Sequence, residues 1–193
     1  MADGGVGRLL VASLHQGIAE LMPARLEFYE SWLSPSGLRE GRIGLAPMAA
    51  VLSFLRQEGE PYHRVSDTAG GYAAEWVVEA MPQIRRRALL MMPAVIRVRL
   101  VLGLARRIVR ESCSGSRALV RWRSGRATVD IRGSLFCAVR ERVDLPLCDF
   151  YAAIIRRLLD LFNLHGDVAT EQCRATGAAT CALTVRLTPR PEP

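Results

Sequence analysis

The chain has 193 residues, half of them hydrophobic, and a formal charge of +7. That length suits one domain carrying an N-terminal extension, with enough apolar residues for a substantial core. Every basic position is arginine. Such a surface suits nucleic acid, anionic lipid or an acidic ligand, but no nucleic-acid motif accompanies it and aromatics are sparse, so nucleic acid is not an expected partner. Residues 1–7 are glycine-rich and lack a basic stretch, which is the reading of a cytoplasmic chain without a secretory signal. In a reducing compartment, five cysteines suggest metal more than disulfides.

Leu9, Leu10, Leu14, Ile18, Leu21 and Met22 recur at helical spacing, and Pro23 closes the helix they predict over 8–22. A shorter pattern through Leu26, Tyr29 and Trp32 ends at Ser34-Pro35-Ser36-Gly37, a turn. Residues 1–40 therefore read as an N-terminal helical extension and residues 41–188 as the main domain. Leu45, Met48, Leu52 and Leu55 mark a helix over 45–57, and residues 72–81 another behind Gly70-Gly71. His63 stands alone, with no nucleophile to pair with it from spacing.

Residues 81–112 are apolar but carry Arg97 and Arg99 and are interrupted by Pro93. Two central arginines disfavour a transmembrane span by roughly 2.5–3.5 kcal/mol each. The segment is either a core helix pair broken at Pro93 or an amphipathic segment in peripheral contact with an anionic membrane. Residues 118–123 and 127–132 alternate around Ser124-Gly125-Arg126 and predict a hairpin. Residues 135–139 extend the sheet. Phe150, Ile154, Ile155, Leu158 and Phe162 then predict a helix over 149–163 with Cys148 at its start, where free N–H groups favour a thiolate.

A last hairpin is predicted from Val168–Arg174 and Thr180–Leu187 about Gly177. Cys173 and Cys181 are equidistant from that glycine, so a turn centred there puts their Cβ atoms about 5 Å apart, with Glu171 on the face of Cys173. Two thiols, a carboxylate and the thiol of Cys148 can complete a tetrahedral zinc site. The alternatives are three small buried residues, or a Cys173–Cys181 disulfide. Cys113 and Cys137 read as structural. Together these elements predict an α+β fold, an antiparallel sheet of four or five strands with helices packed on one face. The tail, residues 189–193, reads as frayed.

Cys148-Asp149-Phe150-Tyr151, the apolar helix, Glu171-x-Cys173 and Gly177-x-x-x-Cys181 resemble the C-terminal signature of the 4-vinyl reductase domain family. The resemblance implies a TRAPP-like fold and zinc held by Cys148, Glu171, Cys173 and Cys181. The family's acidic ligand often stands three positions before the second cysteine, at Thr170 here, so His165 or water is the alternative fourth ligand. Gly41-Arg42-Ile43-Gly44, Ala69-Gly70-Gly71-Tyr72, Met81-Pro82 and the leucine-rich run after Pro93 are similar to the family's bacteriochlorophyll branch.

No Gly-x-Gly-x-x-Gly loop and no Ser-His-Asp set occur, so neither a hydride-cofactor site nor a catalytic motif is found and enzymatic activity is left open. The expectation is a binding protein for a hydrophobic small molecule, a tetrapyrrole or aromatic hydrocarbon, with a structural zinc and a homodimeric assembly. The alternatives are an enzyme or accessory factor of bacteriochlorophyll or tetrapyrrole synthesis, and a TRAPP-like tethering protein.

Overall fold

A computed structural model describes residues 5–30, 43–123 and 125–188. The Ser34–Gly37 turn, Trp32, Gly41-Arg42, the boundary placed at residue 40, Ser124 and the tail at 189–193 lie outside the described residues. Strand β1 (Gly5–Val6) leads into helix α1 (Arg8–Leu21), a 3-10 turn (Pro23–Arg25) and helix α2 (Leu26–Glu30). Strand β2 (Ile43–Gly44) precedes helices α3 (Leu45–Gln57), α4 (Glu60–Glu79), α5 (Gln83–Met91) and α6 (Ala94–Ser112). Strands β3 (Arg117–Arg123) and β4 (Arg126–Arg132), helix α7 (Asp149–Leu161), and strands β5 (Gly166–Gln172) and β6 (Cys181–Leu187) follow.

The fold is α+β. Four antiparallel strands pair in the order β3-β4-β6-β5, and β1 pairs with β2 in a separate two-stranded ladder. Register decides which sheet face is covered. Ile131–Cys181, Val129–Leu183 and Ala127–Val185 are paired across β4 and β6 and all are buried, whereas Arg126 and Arg186 pair on the opposite face and are exposed, next to the buried Thr184 and Asp130. A period of two thus separates the arginines from the core.

Helix α7 is the centre of the molecule. Phe150, Tyr151, Ile154, Ile155, Leu158 and Leu159 are buried, and only the edge carrying Arg156 and Asp160 is exposed. It ends at Leu161 rather than Asn163 because Asn163 adopts a left-handed conformation, φ 51°, a conformation asparagine tolerates better than most residues. Helix α4 packs against it through small residues. A Cβ on Gly70 would lie 2.3 Å from the Phe150 carbonyl oxygen, so glycine is needed for that approach. This explains why α4 runs unbroken through Gly70-Gly71, which the sequence suggests as a boundary. On the other side α1 meets α4 at Gly17, and Leu10, Leu14 and Ile18 are buried in the same core.

Pro93 does separate two helices. Helix α6 buries Val98, Val101, Leu102, Ala105 and Ile108, but α5 buries only Leu89. No helix among the described residues is long and apolar enough to cross a membrane. Residues 135–139 are not a strand. Ser134 Oγ accepts the Cys137 N–H at 3.3 Å, and the resulting turn carries Phe136 and Cys137 into the core.

Candidate metal centre

Four thiols meet where the central helix, the sheet and the 133–147 loop converge. Cys148 is the residue immediately before α7, Cys173 follows β5, Cys181 opens β6, and Cys137 is delivered by the loop after β4. The four Sγ atoms lie within 4.8 Å of one another and all four residues are buried. Cys137 Sγ is 3.4 Å from Cys148 Sγ and 3.5 Å from Cys173 Sγ, and Cys148 and Cys173 are 3.5 Å apart. A disulfide requires about 2.05 Å, so these are free thiols. Sulfurs on a tetrahedron with metal–sulfur bonds of about 2.3 Å are roughly 3.8 Å apart, close to the spacing found.

Local structure explains the convergence. Gly177 takes a left-handed conformation, φ 100°, which turns the short 3-10 segment Arg174–Thr176 back toward β6. The Val143 N–H donates to the Ala175 carbonyl at 2.9 Å and so ties the 133–147 loop to that turn. Phe136 stacks on Phe150 at 4.7 Å between centroids, and Arg56 Nη1 donates to the Phe136 carbonyl at 3.1 Å. Tyr62 donates its hydroxyl to the Leu147 carbonyl at 3.3 Å, and burial pushes that hydroxyl well above its ordinary pKa.

The four thiols bias one another's protonation. Cys173 and Cys181 are drawn below the ordinary thiol range, in each case by hydrogen bonding with Cys137 foremost and Cys148 next. Cys148 is pushed up, by Cys137 foremost. Cys137 is pulled down by its bond with Cys148, but its bonds with Cys173 and Cys181 and its burial carry it upward. Backbone N–H groups reinforce the negative pair: Leu147 donates to Cys173 Sγ at 3.4 Å and Arg174 to Cys181 Sγ at 3.4 Å. Such bonds orient a thiolate and tune its basicity in metal sites.

Of the residues singled out from sequence, the fold brings together Cys148, Cys173 and Cys181. Glu171 and His165 are exposed and outside the cluster. The reason for Glu171 is a bulge. Thr170 pairs with Leu183 and Gln172 with Ala182, so Glu171 is the extra residue and does not share the face of Cys173. Cys137 occupies the fourth corner. Its signal is the cysteine count: with Cys113 set aside, four remain, the number a tetrahedral thiolate site uses. Cys113 sits apart, bridged to Val6.

The clefts are of a different kind. One of about 430 Å³ between α4 and α7 is lined by Asp67, Tyr72, Glu75, Arg156 and Arg157, with Arg157 Nη2 2.6 Å from Glu75 and Arg156 paired to Asp67. A second of about 410 Å³ holds His63, whose Nδ1 is 2.9 Å from Asp149 Oδ2. Both are polar and open.

Neither a family model nor a curated protein matches the sequence. Solved structures do match the fold. An H-NOX protein from S. oneidensis in the Fe(II)NO ligation state aligns with a TM-score of 0.61 and 11% identity, covering 95% of this chain and 99% of that one. An unliganded Fe(II) H-NOX protein from K. algicida aligns with a TM-score of 0.58 and 10% identity, covering 96% and 98%. The fold is that of H-NOX proteins, which corrects the 4-vinyl reductase and TRAPP-like resemblance; the motifs behind it are short and no family model supports them. The hydrophobic-ligand function, the bacteriochlorophyll enzyme and the tethering protein are corrected with it. So is zinc, because these neighbours are Fe(II) proteins and Glu171, its fourth ligand, lies outside the cluster.

Proposed function

We propose that this chain is an H-NOX-fold module organised by one thiophilic metal ion, held by Cys137, Cys148, Cys173 and Cys181. The observation that carries the reading is the buried four-thiol cluster, in which backbone N–H groups donate to the Cys173 and Cys181 sulfurs. Four protein ligands close the coordination sphere, so the ion joins the start of α7 to the β5–β6 hairpin and leaves no open position for a substrate.

The chemistry of the neighbours does not carry over to these residues. An iron porphyrin needs an axial donor facing an apolar slot. Of the three histidines, His15 is bonded to Glu30 at 2.8 Å, His63 to Asp149 in a polar open cleft, and His165 is exposed. The interior between α7 and its neighbours is filled by Tyr62, Phe136, Phe150, Tyr151 and Phe162. Neither the histidines nor this packed interior suits a heme-dependent gas sensor.

Elemental analysis of protein purified without chelator tests the proposal. Near one thiophilic metal per chain is expected, and its near absence defeats the reading. Glu171→Ala and His165→Ala should leave the content unchanged, whereas Cys137→Ala should abolish it. Because each thiol must lose its proton to bind, retention should weaken as pH falls. Titration with heme should give no stoichiometric Soret complex. A one-to-one complex that responds to NO or CO would overturn the proposal in favour of the neighbours' chemistry.

A further inference from the structure

Helix α5 and the first turns of α6 expose what a core should hide. Of nine exposed large hydrophobic side chains among the described residues, five fall between 84 and 100: Ile84 is 85% exposed, Met91 87%, Val95 66%, Ile96 49% and Leu100 41%. In α5 they are ordered. Ile84, Ala88 and Met91 follow one another at helical spacing and are all exposed, while Leu89 faces the body. Besides the side on which Leu89 and Leu90 pack against the core, this helix carries a second apolar stripe that points outward, where a surface helix ordinarily presents polar residues.

Charge accompanies the stripe. From Ala80 to Arg110 the chain has arginines at 85, 86, 87, 97, 99, 106, 107 and 110 and no acidic residue. Within this arm Arg97 Nη1 donates to the Leu90 carbonyl at 2.7 Å, and Arg97 Nη2 ties it to the Asn163 carbonyl at 3.4 Å. Arg99 lies over the Trp122 ring at 5.8 Å, and Trp122 is itself 38% exposed.

We propose that α5 and the N-terminal half of α6 form a peripheral docking face for an anionic phospholipid bilayer, with Ile84, Met91 and Val95 entering the acyl boundary and Arg85, Arg87 and Arg99 meeting the lipid phosphates. The charge complementarity selects this occupant. A second copy of the chain would bring the same acid-free arginine face against this one. A nucleic acid would leave the apolar stripe against phosphates and water. No helix among the described residues is long and apolar enough to cross the bilayer, so α5 lies on it.

Flotation of the full chain with vesicles tests this. Binding is expected to phosphatidylcholine vesicles containing phosphatidylglycerol and not to phosphatidylcholine alone, and it should fall steeply between low and high salt. Each arginine near the surface is worth about fivefold, so Arg85→Gln with Arg87→Gln should weaken binding roughly 25-fold. Ile84→Ser with Met91→Ser should weaken it at least tenfold, on the order of the loss of two inserted side chains. Both sites are exposed, so the melting temperature of each double variant should match wild type. Absence of vesicle binding at low salt overturns the proposal, as does binding that either double variant leaves intact. Stronger retention on duplex DNA than on the vesicles, or self-association abolished by Ile84→Ser with Met91→Ser in the absence of lipid, assigns the face elsewhere and also overturns it.

Discussion

Cys137→Ala is expected to lower the melting temperature by roughly 10 °C or more and to empty the metal site, whereas Cys113→Ala keeps the metal and moves the melting temperature little. Both cysteines are buried, and neither belongs to a helix or strand that the other shares. What separates them is company. Cys137 lies 3.4 and 3.5 Å from two other sulfurs, while Cys113 stands outside the thiol cluster, its Sγ donating to the Ser114 carbonyl at 3.6 Å and its backbone bridged to Val6. Trimming an isolated buried thiol removes a small apolar group, about 1 kcal/mol. Removing a metal ligand removes the ion as well, because the unfolded chain has no preformed site and binding energy is folding energy. Effects above about 4 kcal/mol belong to such losses, and for a domain of this size 1 kcal/mol moves the melting temperature by about 2–4 °C. Calorimetry and elemental analysis of the two variants decide it. If Cys137→Ala retains the metal, or is no less stable than Cys113→Ala, the cluster is a set of packed thiols and nothing more.

How much of this is legible in the sequence follows from where each signal comes from. Helix α7 is readable because Phe150, Ile154, Ile155 and Leu158 repeat with the helical period, and with α7 comes the position of Cys148. The β3–β4 hairpin is readable from alternation and from Gly125, which adopts φ 75° at the turn. Cys137 is not, because the loop that delivers it has no period; its place depends on a Ser134 cap and a Phe136–Phe150 stack that span the fold. Nor is the exclusion of Glu171, since a bulge inserts a residue without leaving a trace in composition. The outward apolar stripe of α5 is periodic like any other. Sequence gives the period of a helix, but the direction in which its apolar face points is set by what the neighbouring helices already cover.

Adjacent glycines on α4 are expected to respond to alanine with opposite signs. Gly71→Ala should stabilise the protein by about 0.5–1 kcal/mol, since nothing lies within 4 Å of the added Cβ and alanine has the higher helix propensity. Gly70→Ala gains the same propensity but places its Cβ 2.3 Å from the Phe150 carbonyl oxygen and 2.8 Å from Ala153 Cβ. A backbone oxygen cannot rotate away as a side chain can, so α4 and α7 must separate. Overpacking of this sort costs about 1–3 kcal/mol, which exceeds the propensity gain. The displacement has a second consequence. Phe150 stands two residues beyond Cys148, and Tyr62 of α4 bonds to the Leu147 carbonyl on the other side of that cysteine at 3.3 Å. Pushing α7 away from α4 therefore moves one corner of the thiol cluster relative to Cys137, Cys173 and Cys181, and a chelator should strip metal from Gly70→Ala faster than from wild type while Gly71→Ala matches it. Equal melting temperatures for the two variants would refute the close helix approach, and slower metal loss in Gly70→Ala would break the link between that approach and the cluster.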